Sequence, residues 1–362
     1  MEIVETETKA VVLNEQPEFS ACDDVDVSAS YFILCEEDLD TSLSKNVYDF
    51  KIAGMSILNW VVRVCDEQPT ILKVSKYDDV LRAIKPYLGD SDYSVVLYAN
   101  TPLLNKGHIK DLLGFVSRKH MNVCKLKKGF VLKNDYIANV DEIYSIDTYD
   151  FASNDMFEVK NYDDLSYAGE VLSKKVINYH KKNGVYFENP SLVNIDATTE
   201  IGYGSKISAG VSVLNHSTVF DGVKIDVGTV VSNSKIGEDV KIGKNVLIED
   251  SVIKDGVQIE SGAVVKGSVV GQSVKIGACS KIVASGIKND SIVHELAEIS
   301  NARIAENCEI CKCAKVLGNK ITTLVSKDSL VGANATVVDC KLQEKFEIET
   351  CGKVISNKKV ND

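Results

Sequence analysis

Side chains able to move a proton, hold a metal or attack an electrophile are sparse in this sequence: five histidines and ten cysteines among 362 residues. His216, in Leu214-Asn215-His216-Ser217, is the leading candidate for a general base, because an imidazole titrates near neutrality. Its competing reading is a solvated corner residue. His294 has Glu295 beside it, a carboxylate able to orient the ring, and the same plain alternative applies. Cys308, Cys311 and Cys313 contain a C-x-x-C pair, half of many zinc sites, but no second Cys/His pair completes it. The acidic run Glu36-Glu37-Asp38-Leu39-Asp40 could attract a cation or could simply be a solvated loop. His108, His120 and His180 read as surface or helix residues, and Cys308 as a small packing residue.

Composition limits the partners those groups could serve. The formal charge is −11, from 52 acidic against 41 basic side chains, which disfavours nucleic acid and anionic lipid. Arginine occurs only at Arg63, Arg82, Arg118 and Arg303, so phosphate recognition falls to lysine or backbone amides. There is no apolar run long enough for a membrane span and no secretory or transit character at the start, which predicts a cytoplasmic protein with reduced thiols.

The elements that must position these groups are written in a repeat. From Ile195 to Val231, Ile or Val recurs every six residues. From Ile236 to Val316 the spacing becomes six, six, five. All 22 of these guide positions are Ile or Val, and two residues before each stands a small or β-branched side chain such as Ser234, Val240 or Ala263. Neither a helix (apolar every three to four) nor an amphipathic strand (every two) produces this period. A coil of three short strands does, with the guides pointing into a triangular prism of about nine turns, stacked at roughly 4.8 Å. Glycines after the guide, as at Gly237 and Gly277, read as corner residues. The rhythm breaks after Val316 and resumes weakly from Val325 to Val354. Ahead of the prism, Asp164 to Lys182 reads as a helix capped by Asp163 or Asp164, and residues 29–160 as α/β, with helices over Met55–Val64 and Tyr77–Tyr87.

The repeats resemble the hexapeptide-repeat, left-handed parallel β-helix family of acyltransferases and sugar nucleotidyltransferases. Ala53 to Val61, Val96 to Leu104, Val159-Lys160-Asn161 and Asn178 to Val185 then occur in the order seen in the bifunctional N-acetylglucosamine-1-phosphate uridylyltransferase/glucosamine-1-phosphate acetyltransferase family. The resemblance implies a homotrimer and two active sites. It also implies residues that are missing. A glycine-rich phosphate turn should follow the first strand, yet Leu34 leads into Cys35 and the acidic run, where carboxylates would meet phosphate oxygens. Asn100 stands where the family has a metal-binding Asp, and Lys160 or Asn161 where it has an Asn ligand. The family's catalytic His-Tyr region falls on Cys311 to Lys315.

The expectation is therefore an N-terminal extension (1–28), a degenerate nucleotidyltransferase-like, Rossmann-like α/β domain (29–162), a linker helix (163–189) and a left-handed parallel β-helix of hexapeptide repeats (190–358). The expected function is that of a diverged relative of UDP-N-acetylglucosamine biosynthesis transferases, acting as a non-catalytic trimeric scaffold, regulator or binder of a sugar phosphate or nucleotide sugar through Asn100 and Asn161. The alternative is an active acetyltransferase using acetyl-CoA with His216 as base, or a residual nucleotidyltransferase using Mg²⁺. Neither nucleic acid nor membrane is expected as a partner.

Overall fold

The computed structural model describes residues 27–37, 39, 41, 43, 47–75, 79–143 and 156–355. The expected N-terminal extension therefore lies almost wholly outside the described residues, as do Asp38, Asp40 and Tyr77. Contacts divide the chain into two compact units between Lys175 and Val176.

The N-terminal unit is built on five strands, β1 (Ala29–Glu36), β2 (Thr70–Val74), β3 (Tyr93–Tyr98), β4 (Val123–Leu126) and β5 (Gly129–Lys133), in the order β2-β1-β3-β5-β4. β1 pairs in parallel with β2 and β3, and β5 runs antiparallel to both its neighbours. Along β1 the side chains alternate between two cores, Tyr31, Ile33 and Cys35 on one face and Phe32 and Leu34 on the other. Burial on both faces is why this segment reads as a continuous apolar run. Helix α3 (Lys106–Arg118) covers the first face through Ile109, Leu112, Leu113 and Val116, after Asn105 caps its N-terminus. Because β2 and β3 lie on opposite sides of β1, the chain reverses direction across the sheet at the β1/β3 pair. That places a crevice at the C-terminal ends of these two strands.

Two expected helices are shorter than their apolar periodicity implies. Met55 and Ser56 pair with Lys51 and Ile52 across a two-residue turn, Ala53-Gly54, whose φ angles of 46° and 79° fit a hairpin. Helix α1 (Ile57–Val62) therefore starts only after the hairpin, with the Ser56 side chain accepting from the Asn59 amide at 3.1 Å. Helix α2 is confined to Val80–Ile84 and tightens into a 3₁₀ turn at Lys85–Tyr87, where Pro86 cannot supply an amide donor. The linker helix spans Tyr162–Lys182. Its cap is Asn161, whose carboxamide oxygen accepts from the Asp164 amide at 2.8 Å, while the Asp164 carboxylate reaches back to the amides of Lys160 and Asn161. The reciprocal pair corrects the expected cap at Asp163 or Asp164 and satisfies amides that the helix leaves open.

The second unit is a left-handed parallel β-helix whose short strands stack into sheets of eight, ten and ten. The guides align in vertical columns, Ile236 on Ile253, Val270, Ile287 and Ile304, all at most 2% exposed. The small residues two before the guides do more than fit. Ser234, Ser251, Ser268 and Ser285 are buried, and each hydroxyl donates to the carbonyl two residues earlier at 2.7 Å. Each also accepts the amide of the residue stacked above it, at 3.0–3.1 Å. The column thereby carries polar groups through its interior without an unsatisfied partner.

Glycine after the guide has a different cause from the expected corner conformation. A Cβ on Gly277 would lie 2.4 Å from the Glu295 amide nitrogen, so the next coil's backbone excludes it. The left-handed corners are instead occupied by Asn and Asp, for example Asn233 (φ 46°) and Asp250 (φ 51°), and by other glycines such as Gly222 (φ 71°). The break after Val316 is a short loop before Thr323–Val325, held by Asp339, whose Oδ1 accepts the amides of Asn319, Lys320 and Ile321 at 2.7–3.2 Å.

Candidate functional site

In the N-terminal unit, the crevice at the ends of β1 and β3 is where an open α/β sheet binds its ligand, and several of the expected residues meet there. Glu36 ends β1, Tyr98 ends β3, and Asn100 follows it. Lys128, from the turn between β4 and β5, places Nζ 3.2 Å from Glu36 Oε2 and 3.5 Å from Glu158 Oε2. Its ammonium also sits 4.3 Å from the centre of the Tyr98 ring. Lys160 Nζ is 3.1 Å from the same Glu158 oxygen. The side chains of Lys128, Glu36 and Glu158 are only 20%, 12% and 18% exposed, so these charges have given up most of their water for one another.

The electrostatics follow from that exchange. Burial alone would raise Glu158, but Lys128 and Lys160 outweigh it and hold the carboxyl below its ordinary value. Asn100 contributes to that lowering from close range, although its Nδ2 makes no hydrogen bond of good geometry and its side chain is buried. Burial, with the charges of Glu36 and Glu158 behind it, pushes Tyr98 up to about 12. Burial also raises Cys35 to about 12, which makes its thiol an inert packing group. Asn161 is engaged as the helix cap, and its neighbour's carbonyl, on Lys160, accepts the Thr41 hydroxyl.

Two lysines and two carboxylates sum to no net charge. A triphosphate arriving here would find both cations already paired with carboxylates, an arrangement with no net positive charge to gather phosphate oxygens. Mg²⁺ does not fit either: Asn100 supplies no negative charge, and the Lys128 ammonium contacts both carboxylates that a metal would use.

The β-helix holds the remaining expected residues. His216 lies at a left-handed corner (φ 56°), exposed, with its amide donating to Thr198 Oγ1 at 3.3 Å. Its imidazole has no hydrogen-bond or ion-pair partner among the described residues, so nothing orients it as a base. His180 lies in the linker helix, one of its two expected placements, but not at the surface: it is 1% exposed, neither ring nitrogen has a hydrogen-bond partner, and burial pushes it down to about 4. Cys308 fills the inward slot as expected, 1% exposed, with Sγ 3.1 Å from the Ser326 carbonyl oxygen.

His294 is better placed than its sequence neighbours imply. Its strand, Ile292–Val293, stacks under Glu309–Ile310, which brings Glu309 Oε1 to 2.7 Å from His294 Nε2 and sets Cys311 directly above the ring's own register. Glu295, the carboxylate adjacent in sequence, is farther, at 4.0 Å from Nδ1. The signal that finds Glu309 and Cys311 is the 17-residue coil: Ile292 plus one coil is Glu309, and His294 plus one coil is Cys311.

Comparison with known proteins agrees with this geometry over the helix. The GMPPB C-terminal domain family matches residues 189–270. The bifunctional protein GlmU of Listeria welshimeri is 30% identical over 88 residues, covering 24% of this chain and 19% of the relative. The chain carries a diverged GlmU-like hexapeptide-repeat β-helix. A GlmU of Cyanothece sp. is 26% identical over 120 residues, covering 33% of this chain and 26% of that protein. The matched part thus spans about a fifth to a quarter of these GlmU relatives. The solved Arabidopsis UDP-N-acetylglucosamine acyltransferase aligns over 47% of this chain and 68% of its own, at 12% identity and a TM-score of 0.28. The stacked strand pairings themselves, rather than that superposition, establish the parallel β-helix. No described helix is long and apolar enough to cross a membrane.

Proposed function

We propose that this protein is a non-catalytic relative of the UDP-N-acetylglucosamine transferases, a cytoplasmic homotrimeric scaffold or regulator that binds an amino-sugar phosphate or nucleotide sugar without transforming it. The observation that carries the proposal is the Lys128–Glu36–Glu158–Lys160 cluster. Catalysis of nucleotidyl transfer needs donors and a metal preorganised for phosphate charge, and here the charges at the strand ends are complementary to each other. The β-helix supports the same reading, since His216 has no orienting acid and the family's His-Tyr region carries Cys311 to Lys315. The family resemblance and the helix supply the trimer and the ligand class.

Two assays of the purified full chain test this. With UTP, Mg²⁺ and N-acetylglucosamine 1-phosphate, and separately with acetyl-CoA and glucosamine 1-phosphate, turnover is expected to match the protein-free control. A rate abolished by His216→Ala or Lys128→Ala would overturn the non-catalytic reading. In a thermal-shift series, UDP-N-acetylglucosamine or an amino-sugar phosphate is expected to raise the melting temperature. Light scattering is expected to give the mass of three chains.

A further inference from the structure

We infer that His294, Glu309 and Cys311 form a binding site for a divalent transition metal of the zinc class. One imidazole nitrogen, one carboxylate oxygen and one thiol sulfur lie within 4.8 Å of one another here, the one such group among the described residues. All three come from two adjacent coils whose backbones are locked by the ladder. Ile292 pairs with Glu309, Val293 with Ile310, and the His294 amide donates to the Ile310 carbonyl at 2.8 Å. The same register in the flanking coils is glycine, Gly277 below and Gly332 above, so neither coil contributes a side chain beside the pair.

The donor set selects the metal. Nitrogen, sulfur and a single carboxylate suit a borderline-soft ion, whereas Mg²⁺ and Ca²⁺ take oxygen ligands. Around tetrahedral zinc, neighbouring donors stand roughly 3.3–3.8 Å apart. The 2.7 Å His294–Glu309 contact has to open by roughly 0.6 Å while the thiol closes in, a change within side-chain rotation because these groups are partly exposed. Three protein ligands leave a fourth position for water or a small ligand. Behind the ring, Glu295, paired with Lys312, stands 4.0 Å from His294 Nδ1, on the side from which a small rotation lets it accept a hydrogen bond from Nδ1–H when Nε2 is on a metal. Binding forms the metal–sulfur bond, releases the thiol proton to solvent and weakens at acid pH. The site does not depend on the non-catalytic reading of the crevice.

The test is a titration of the chelator-treated full chain with Co²⁺, following the thiolate-to-cobalt charge-transfer band in the near ultraviolet, then displacement by Zn²⁺. A band saturating at a single ion per chain and absent in Cys311→Ser is expected. His294→Gln and Glu309→Gln should each weaken binding at least about tenfold, and Glu295→Gln about tenfold, in line with the effect of groups that orient ligands. Cys313→Ser and Mg²⁺ competition should change nothing. Absence of the band, or a band retained at full affinity in Cys311→Ser, would overturn the assignment. Should Cys311→Ser lose its fold, the wild-type chain decides: Zn²⁺ is expected to slow alkylation of Cys311 but not of Cys351, and equal rates at Cys311 with and without Zn²⁺ refute the site.

Discussion

In the crevice of the N-terminal unit, Glu36, Lys128, Glu158 and Lys160 neutralise one another in a partly buried cluster, and removing Lys128 takes away the cation that both carboxylates share. Along the column of guides every inward position is apolar, and each guide residue repeats a contact that its neighbours above and below also make. The first arrangement is heterogeneous and brittle; the second is redundant in pattern but intolerant of charge. Function altered by replacing a few groups belongs to regions of the first kind, while architecture kept through extensive substitution belongs to the second.

The largest effect should come from putting a charge into the column. Ile276→Asp places a carboxylate at a site 0% exposed with no partner, and the β-helix is expected to lose its cooperative unfolding transition by circular dichroism. Ile276→Ala, by contrast, should cost about 2–5 kcal/mol by denaturant titration and leave the fold intact. Lys128→Ala probes the crevice: two carboxylates remain facing each other with little water, and stability is expected to fall by about 3 kcal/mol, with Lys128→Met no better. If the loss is under 1 kcal/mol, the cluster is solvated and the contrast with the column weakens.

A smaller effect depends on pH. His180 titrates at about 4 in the folded chain, against 6.5 for an exposed imidazole. Between those values the unfolded chain holds a proton that the folded chain does not, so stability is full above 6.5 and declines as pH falls toward 4. The loss reaches at most about 3 kcal/mol, and His180→Leu is expected to remove this slope from the pH dependence of denaturant midpoints. Glu158 acts in the same direction lower down, its lowered carboxyl contributing stability above its unfolded value of 4.5 that disappears as acid protonates it. The smallest effect is local: Asn161→Ala removes the cap of the linker helix, costing about 1 kcal/mol.

The column was legible because one rule, an inward Ile or Val with a small residue two before it, is repeated in every coil. The hydroxyl ladder through Ser234, Ser251, Ser268 and Ser285 was visible as small residues, but its hydrogen bonds were not. In the N-terminal unit the apolar strands β1 and β3 were readable, and Glu36 and Asn100 lie at or just beyond their ends. Lys128 and Glu158 were invisible as partners, since they approach from the β4–β5 turn and the segment before the linker helix, about 30 residues apart, with no periodicity joining them. The starts of α1 and the linker helix were misplaced by a hairpin at Ala53-Gly54 and by the reciprocal Asn161–Asp164 cap, both local hydrogen-bond choices that apolar spacing does not encode. His294 was paired with Glu295 because adjacency in sequence was the only guide; stacking by one coil favours Glu309.

The constant 17-residue step between Ile236, Ile253, Val270, Ile287 and Ile304 makes the column a ruler graduated in whole rungs. Excising residues 253–269 would bring Ile236 beneath Val270 with every inward and outward side chain still in phase, so the cluster at His294 would keep its geometry while sitting one rung nearer the linker. Excising a single residue fewer would turn the strand beyond the cut inside out. Length along this axis is therefore free to vary only in integers, and a surface at one end can be moved relative to the other without redesigning either.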